Sequence, residues 1–133
     1  MGMFSALDSS ASGTKVSRIW LDAISDNVAN VNTTRPFEEE PFRARLVIAQ
    51  AYENGDNRGA MVTGITRREG EPEVTFDPTN PYANEAGYVK RPMVDLSEEM
   101  TNMLIAQRSY QANLSVMDRV RDAYKAALSI GVK

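Results

Sequence analysis

The chain has 133 residues, of which 42% are hydrophobic and 25% charged, and its formal net charge is −3. This length suits one ordinary domain with one core; the lack of Cys and His excludes disulfides, the usual structural zinc, and thiol or imidazole catalysis. The acidic balance, with no basic run, argues against a nucleic-acid binder that works by neutralising phosphates, and no apolar run approaches the roughly 18–20 residues of a membrane span.

The opening MGMFSALDSSASG has neither the basic n-region nor the apolar h-region of a signal peptide. Chain breakers divide the rest of the sequence. All six prolines lie between Pro36 and Pro92, together with five of the eight glycines, so both flanks are free to form long helices. The flanks are charge-balanced and the net charge sits in the middle. This gives an N-terminal helical part over 1–35, an insert over 36–92 and a C-terminal helical part over 93–133.

In the first part, Leu21, Ile24, Val28 and Val31 recur at helical spacing, with Val16, Trp20 and Ala23 beside them. The stripe fades upstream, where Ser9, Ser10, Ser12, Gly13 and Thr14 are weak helix formers. Downstream, Pro36 and the restricted Arg35 stop the helix. In the insert, Phe42 to Tyr52 is β-branched and aromatic enough for a strand, although its alanines leave helix open. Ala60 to Thr66 and Glu73 to Phe76 read as further strands, separated by the turn signals Asn54-Gly55-Asp56-Asn57 and Glu69-Gly70-Glu71-Pro72.

The last part carries the strongest pattern. Leu96, Met100, Met103, Gln107, Tyr110, Leu114, Met117, Arg121, Tyr124 and Leu128 alternate steps of four and three, a heptad seam with two polar interruptions. Asp95 or Ser97 suits the N-cap, Glu98 and Glu99 suit the first turn, and Gly131 is a natural stop. A helix over 96–130 would be roughly 50 Å long, whereas a compact domain of this size has a radius of gyration of only about 14 Å.

The fold expected is therefore α+β, with long N- and C-terminal helices paired as an antiparallel coiled coil and a small β-rich insert projecting from this helical base. The shorter first helix covers only part of the long stripe, and the rest must meet other subunits. The expected assembly interface is the two stripes. Asparagine at a helix end serves local turns, which is one reading of Asn27, Asn30 and Asn32; the other, amide hydrogen bonds between helices or subunits, is what a family resemblance implies. Glu38-Glu39-Glu40 reads as a solvated loop rather than a metal or acid–base site, because three adjacent carboxylates point in different directions. No catalytic, cofactor-binding or metal-ligating residue is expected, and the chain reads as a non-enzyme.

Several stretches resemble a known family. Asp26-Asn27-Val28-Ala29-Asn30-Val31-Asn32-Thr33-Thr34 is similar to the signature after the N-terminal helix of the flagellar axial family of rod, hook and hook-associated proteins. The run from Asn80-Pro81 through Gly87-Tyr88-Val89, Pro92-Met93-Val94-Asp95-Leu96-Ser97-Glu98-Glu99-Met100 and Gln107-Arg108-Ser109-Tyr110-Gln111-Ala112-Asn113 resembles the proximal-rod branch of that family. Arg35, after the Thr pair, and Pro41-Phe42-Arg43 fit that branch too, as does the short chain.

The resemblance implies a structural subunit of the bacterial flagellar basal body, in the periplasmic rod. It implies export by the flagellar type III apparatus without a cleaved signal peptide. The terminal helices would polymerise into a tubular drive shaft that transmits torque and encloses the export channel. Partners would be further copies and other rod proteins, with no cofactor, no nucleic acid and no membrane insertion. The alternative, from the residues alone, is a helical adaptor or chaperone-like binding module that buries its stripe against one foreign partner.

Overall fold

The computed structural model describes residues 2–131. The elements run α1 (Met3–Ala29), β1 (Arg45–Asn54), β2 (Asn57–Arg67), β3 (Val74–Phe76), β4 (Tyr88–Lys90) and α2 (Leu96–Ile130). Two long helices therefore enclose a small β insert, the α+β arrangement expected. At 1.5 Å per residue α1 is about 40 Å long and α2 about 52 Å.

The helices are antiparallel. Phe4 meets Tyr124 edge-to-face with centroids 6.2 Å apart, Ser17 Oγ donates to Ser109 Oγ at 3.0 Å, and Asn27 Nδ2 donates to Glu99 Oε1 at 3.1 Å. Rising positions in α1 thus meet falling positions in α2. The N-cap of α2 is Asp95, whose carboxylate accepts from the N–H groups of Ser97 and Glu98, and the first turn carries Glu98 and Glu99. Both features favour the positive end of the helix.

α1 runs unbroken through Ser9, Ser10, Ser12, Gly13 and Thr14, the stretch where the apolar stripe fades and helix propensity is weak. Tertiary contact overrides propensity here. A Cβ at Gly13 would lie 2.7 Å from the Asn113 side chain, so the helices approach closely at this point. Ser10 and Ser17 are buried on the same face, and Ser10 Oγ returns a bond to Ala6 O at 2.8 Å. Small residues at steps of three and four allow this approach.

The insert lies differently from expectation. β1 and β2 form an antiparallel hairpin that lies along α1 rather than projecting from the helix pair. At its base the Arg45 N–H donates to Asn27 Oδ1 at 2.7 Å. Near its middle the Ala60 N–H donates to Ser12 Oγ at 3.1 Å. At its tip Ser5 Oγ donates to Asp56 O at 2.9 Å. The lengths match: ten strand residues span about 34 Å, and the 22 residues from Ser5 to Asn27 span about 33 Å of helix. The tip is a two-residue loop with Gly55 at φ 63°, the geometry of a type II′ turn with glycine first.

β3 and β4 make a second, shorter antiparallel pair in which Phe76 faces Tyr88, their rings edge-to-face at 5.3 Å. Residues 42–44 join the parts: Met93 N–H donates to Phe42 O at 2.7 Å, and Arg68 N–H donates to Ala44 O at 2.8 Å. The buried apolar side chains, Ala23, Ile24, Phe42, Ala44, Val89 and Ala106, gather around this junction. The core is small and sits at one end of the helix pair.

Candidate assembly interface

The contact between the helices is built from small and polar residues. α1 contributes Ser10, Gly13, Ser17, Ile24 and Asn27. α2 contributes Glu99, Ala106, Ser109, Asn113 and Met117, the last through Thr14 Oγ1 at 3.8 Å from its sulfur. Of the residues singled out by periodicity, Ile24 and Asn27 are buried. Leu21, Val28, Asn30, Val31, Met103, Tyr110 and Met117 are half-buried, while Leu96, Met100, Gln107, Leu114, Arg121, Tyr124 and Leu128 are exposed. The long stripe of α2 thus meets α1 only in part, through Met117 and Tyr124.

Asn27 is the polar centre of the molecule. It is 1% exposed. Its Nδ2 donates to Arg45 O at 3.0 Å and to Glu99 Oε1 at 3.1 Å, while its Oδ1 accepts from Arg45 N. The amide therefore substitutes for a paired strand residue and ties α1, β1 and α2 together. Arg45 adds an ion pair to Asp26 at 3.0 Å. Asn30 serves locally: its Nδ2 donates to Asp26 O at 2.8 Å, and its Oδ1 accepts from Thr33 Oγ1 at 3.1 Å. Asn32 is exposed. In the acidic loop, Glu40 pairs with Arg43 of the same chain at 3.0 Å.

Glu99 is 2% exposed, and burial pushes its carboxyl above the ordinary carboxylate value. The Asn27 amide opposes that shift, Glu98 adds to it, and Arg68, which is ion-paired to Glu98, opposes it. The folded chain therefore holds a proton more tightly at this position than the unfolded chain. The contribution of Glu99 to stability is greatest below the unfolded carboxylate value and is lost as pH rises through the raised folded value. Gln in its place keeps an acceptor for Asn27 without the charge. Glu99→Gln should gain stability over wild type across that window and hold the gain at higher pH. Urea midpoints measured from pH 4 to pH 8 test this, and a constant difference between the two proteins would contradict it.

The outward surface of α2 is apolar on both sides of the inter-helix contact. Leu96, Met100 and Leu104 form a ridge at steps of four, and they are 43%, 59% and 59% exposed. At about 100° per residue, Leu96 and Leu114 lie roughly 80° round from buried Ala106 in one direction. Ile105 and Val116, also exposed, lie about 80–100° round in the other. Beyond residue 120 every described residue of α2 is exposed, and Met3, Phe4, Leu7, Val120, Arg121 and Tyr124 line a cleft of about 270 Å³ there. Ser10, Gly13, Ser17, Glu99 and Asn113 carry no apolar signal. Only the three-and-four spacing of the small residues marks α1 as a close-approach face.

Among the described residues, no three acidic side chains converge as a metal site, and no helix is long and apolar enough to cross a membrane. The two ends of the chain match family models. Residues 7–36 match the flagella basal body rod protein family, and residues 85–130 match the C-terminal region of the flagellar basal body rod FlgEFG proteins. Whole-length relatives agree. The flagellar basal-body rod protein FlgC of Borreliella burgdorferi is 30% identical over 149 aligned positions, covering 98% of each chain. FlgC of Bacillus subtilis is 32% identical, covering 98% of this chain and 99% of the relative, and that of Aquifex aeolicus is 32% identical over 94% of both. With identity of this level running from end to end, and with α2 and all but the first four residues of α1 inside the matched segments, the chain belongs to the FlgC family of flagellar basal-body rod proteins.

Proposed function

We propose that the chain is a non-enzymatic structural subunit of the flagellar basal-body rod. It polymerises through its terminal helices into the tubular drive shaft that transmits torque and encloses the export channel. The observation that carries this reading is the pair of apolar ridges on α2, Leu96–Met100–Leu104 and Ile105–Val116, on either side of its contact with α1. A helix with uncovered apolar surface on two flanks suits neighbours on both sides, which is what head-to-tail helical assembly provides. Residues 1–35 and 93–133 form the inner assembly part, and 36–92 form the insert. Its neighbours in the rod are further copies and other rod proteins.

Mechanical coupling follows from the same arrangement. Asn27 cross-links the helix pair to the hairpin, so a twist applied to one helix is shared by three elements. The same reading has the subunit reach the periplasmic rod through the flagellar type III apparatus, without a cleaved signal. Replacing Met100 and Leu104 together with Asp tests the interface. Both side chains are exposed, so the two changes together should alter monomer stability by no more than about 1 kcal/mol, and circular dichroism should be unchanged. Material sedimenting as polymer at high concentration should fall at least about tenfold, since two charges would be buried unpaired at each contact. Undiminished polymer, or a discrete complex with one foreign partner that the substitution abolishes, would favour the binding-module reading instead.

A further inference from the structure

The hairpin offers one open hydrogen-bonding edge, and its chemistry specifies what covers it. Both backbone groups of Arg45 point away from β2, because they bond the Asn27 amide. In an antiparallel pair this direction alternates strictly along a strand. The N–H and C=O groups of Val47, Ala49, Ala51 and Glu53 therefore point the same way, into solvent. The one irregularity of the ladder lies in β2: Ile48 faces Gly64 and Ala49 faces Val62, so Thr63 is the extra residue and the alternation of β1 is unbroken.

β2 offers no comparable edge. The bulge at Thr63 interrupts it, and the Ala60 N–H is already given to Ser12. Bulges and covering elements are the usual protection of sheet edges, and so are lysine and proline. From Leu46 to Tyr52, β1 has none of these and no charge. Among the described residues, no α2 Cα comes within 8 Å of a hairpin Cα.

We propose that two copies of the free chain pair through their β1 edges, antiparallel and about a two-fold axis, into a four-stranded sheet. Among the described residues, the β1–β2 hairpin of a second copy presents one regular free edge, β1 itself, so the contact is isologous. The open groups fix the register. Val47 faces Glu53 of the second copy and Ala49 faces Ala51, which joins all four residues on each side in about eight hydrogen bonds. Ile48 then faces Tyr52 of the second copy, a β-branched–aromatic pair. Glu53 lies diagonal to the second copy's Arg45, a favourable opposite-charge neighbour. A two-fold contact cannot propagate along a polar filament, so this dimer is a resting form of the free subunit, separate from its head-to-tail assembly.

The register places Gln50 opposite itself on the axis, at a non-hydrogen-bonded pair whose Cα separation of about 4.5 Å lies within disulfide range. The chain has no cysteine, so Gln50→Cys carries a single thiol. Under mild oxidant at tens of micromolar, most Gln50→Cys chains should become covalent dimer, at least tenfold faster than Gln111→Cys, an exposed control on α2. Light scattering of the cysteine-free wild type should show a dimer at the same concentration. Ala49→Pro removes an outward N–H that the monomer does not use, at a kind of edge position where proline is tolerated. It should yield a folded monomer. Wild-type chains that stay monomeric, or equal cross-linking rates for the two cysteine variants, would overturn the proposal.

Discussion

Asn27→Ala is expected to lower the free energy of unfolding by about 3 kcal/mol, a large part of the stability of a small domain. The substitution removes three hydrogen bonds at once. It also leaves the N–H and C=O of Arg45 and the carboxyl of Glu99 without the amide that now satisfies them. Water cannot readily replace it, because Asn27 is 1% exposed and Glu99 is 2% exposed. The loss should fall together on α1, β1 and α2, so the urea transition by circular dichroism should remain a single step at lower denaturant. Glu99→Gln in the same chain should recover part of the loss, since it removes the buried charge that the amide supports. A change below about 0.5 kcal/mol, the level of an ordinary surface substitution, would mean that the junction is not structural.

Gly13→Leu should cost about 2–3 kcal/mol by forcing the helices apart. A Cβ at this position meets the Asn113 Nδ2 at 2.7 Å and the Oδ1 at 2.9 Å, so even Ala requires Asn113 to move. Asn113 Nδ2 also donates to Ser109 O at 3.0 Å, a bond that the movement would break. The obstacle is thus one side chain, which makes the prediction separable. In an Asn113→Ala background, Gly13→Ala should gain up to about 1 kcal/mol, the ordinary helix-interior advantage of Ala over Gly. A double-mutant cycle on thermal unfolding measures the coupling. Additive effects would show that the helices are not in close contact at Gly13.

The sequence was most legible where periodicity and punctuation agree. α2 runs from Leu96 to Ile130 with Asp95 as its cap, as the heptad spacing and the Asp-x-Ser-Glu start require. The three strands read from β-branched content and turn signals overlap β1, β2 and β3, the first starting three residues early and the third one residue early; β4, Tyr88–Lys90, lies outside them. The pairing surface was less legible. Apolar periodicity marks the face that most needs covering, and in this chain much of the α2 stripe points outward while Ser, Gly, Ala and Asn join Ile24 and Met117 in the intramolecular contact. Ser and Gly in α1 lower its helix propensity, and the close approach that compensates is visible only in three dimensions. The hairpin's course along α1 depends on Ser5, Ser12 and Asn27 side chains bonding distant backbone groups, which no local pattern records.

The helix that sequence and structure identify as long, apolar and half-uncovered is the basis of the assembly reading, and Leu104 lies at the middle of its exposed surface. The chain has no cysteine, so Leu104→Cys places a single thiol on the ridge, where maleimide labelling reports accessibility. The most direct measurement compares the labelling rate in free subunits with that in sedimented assemblies. Rapid labelling is expected in the free subunit, where the position is 59% exposed, and at least tenfold slower labelling once subunits pack. Equal rates in the two states would contradict assembly through α2, because the ridge would then be open in the polymer and the contacts between copies would lie elsewhere.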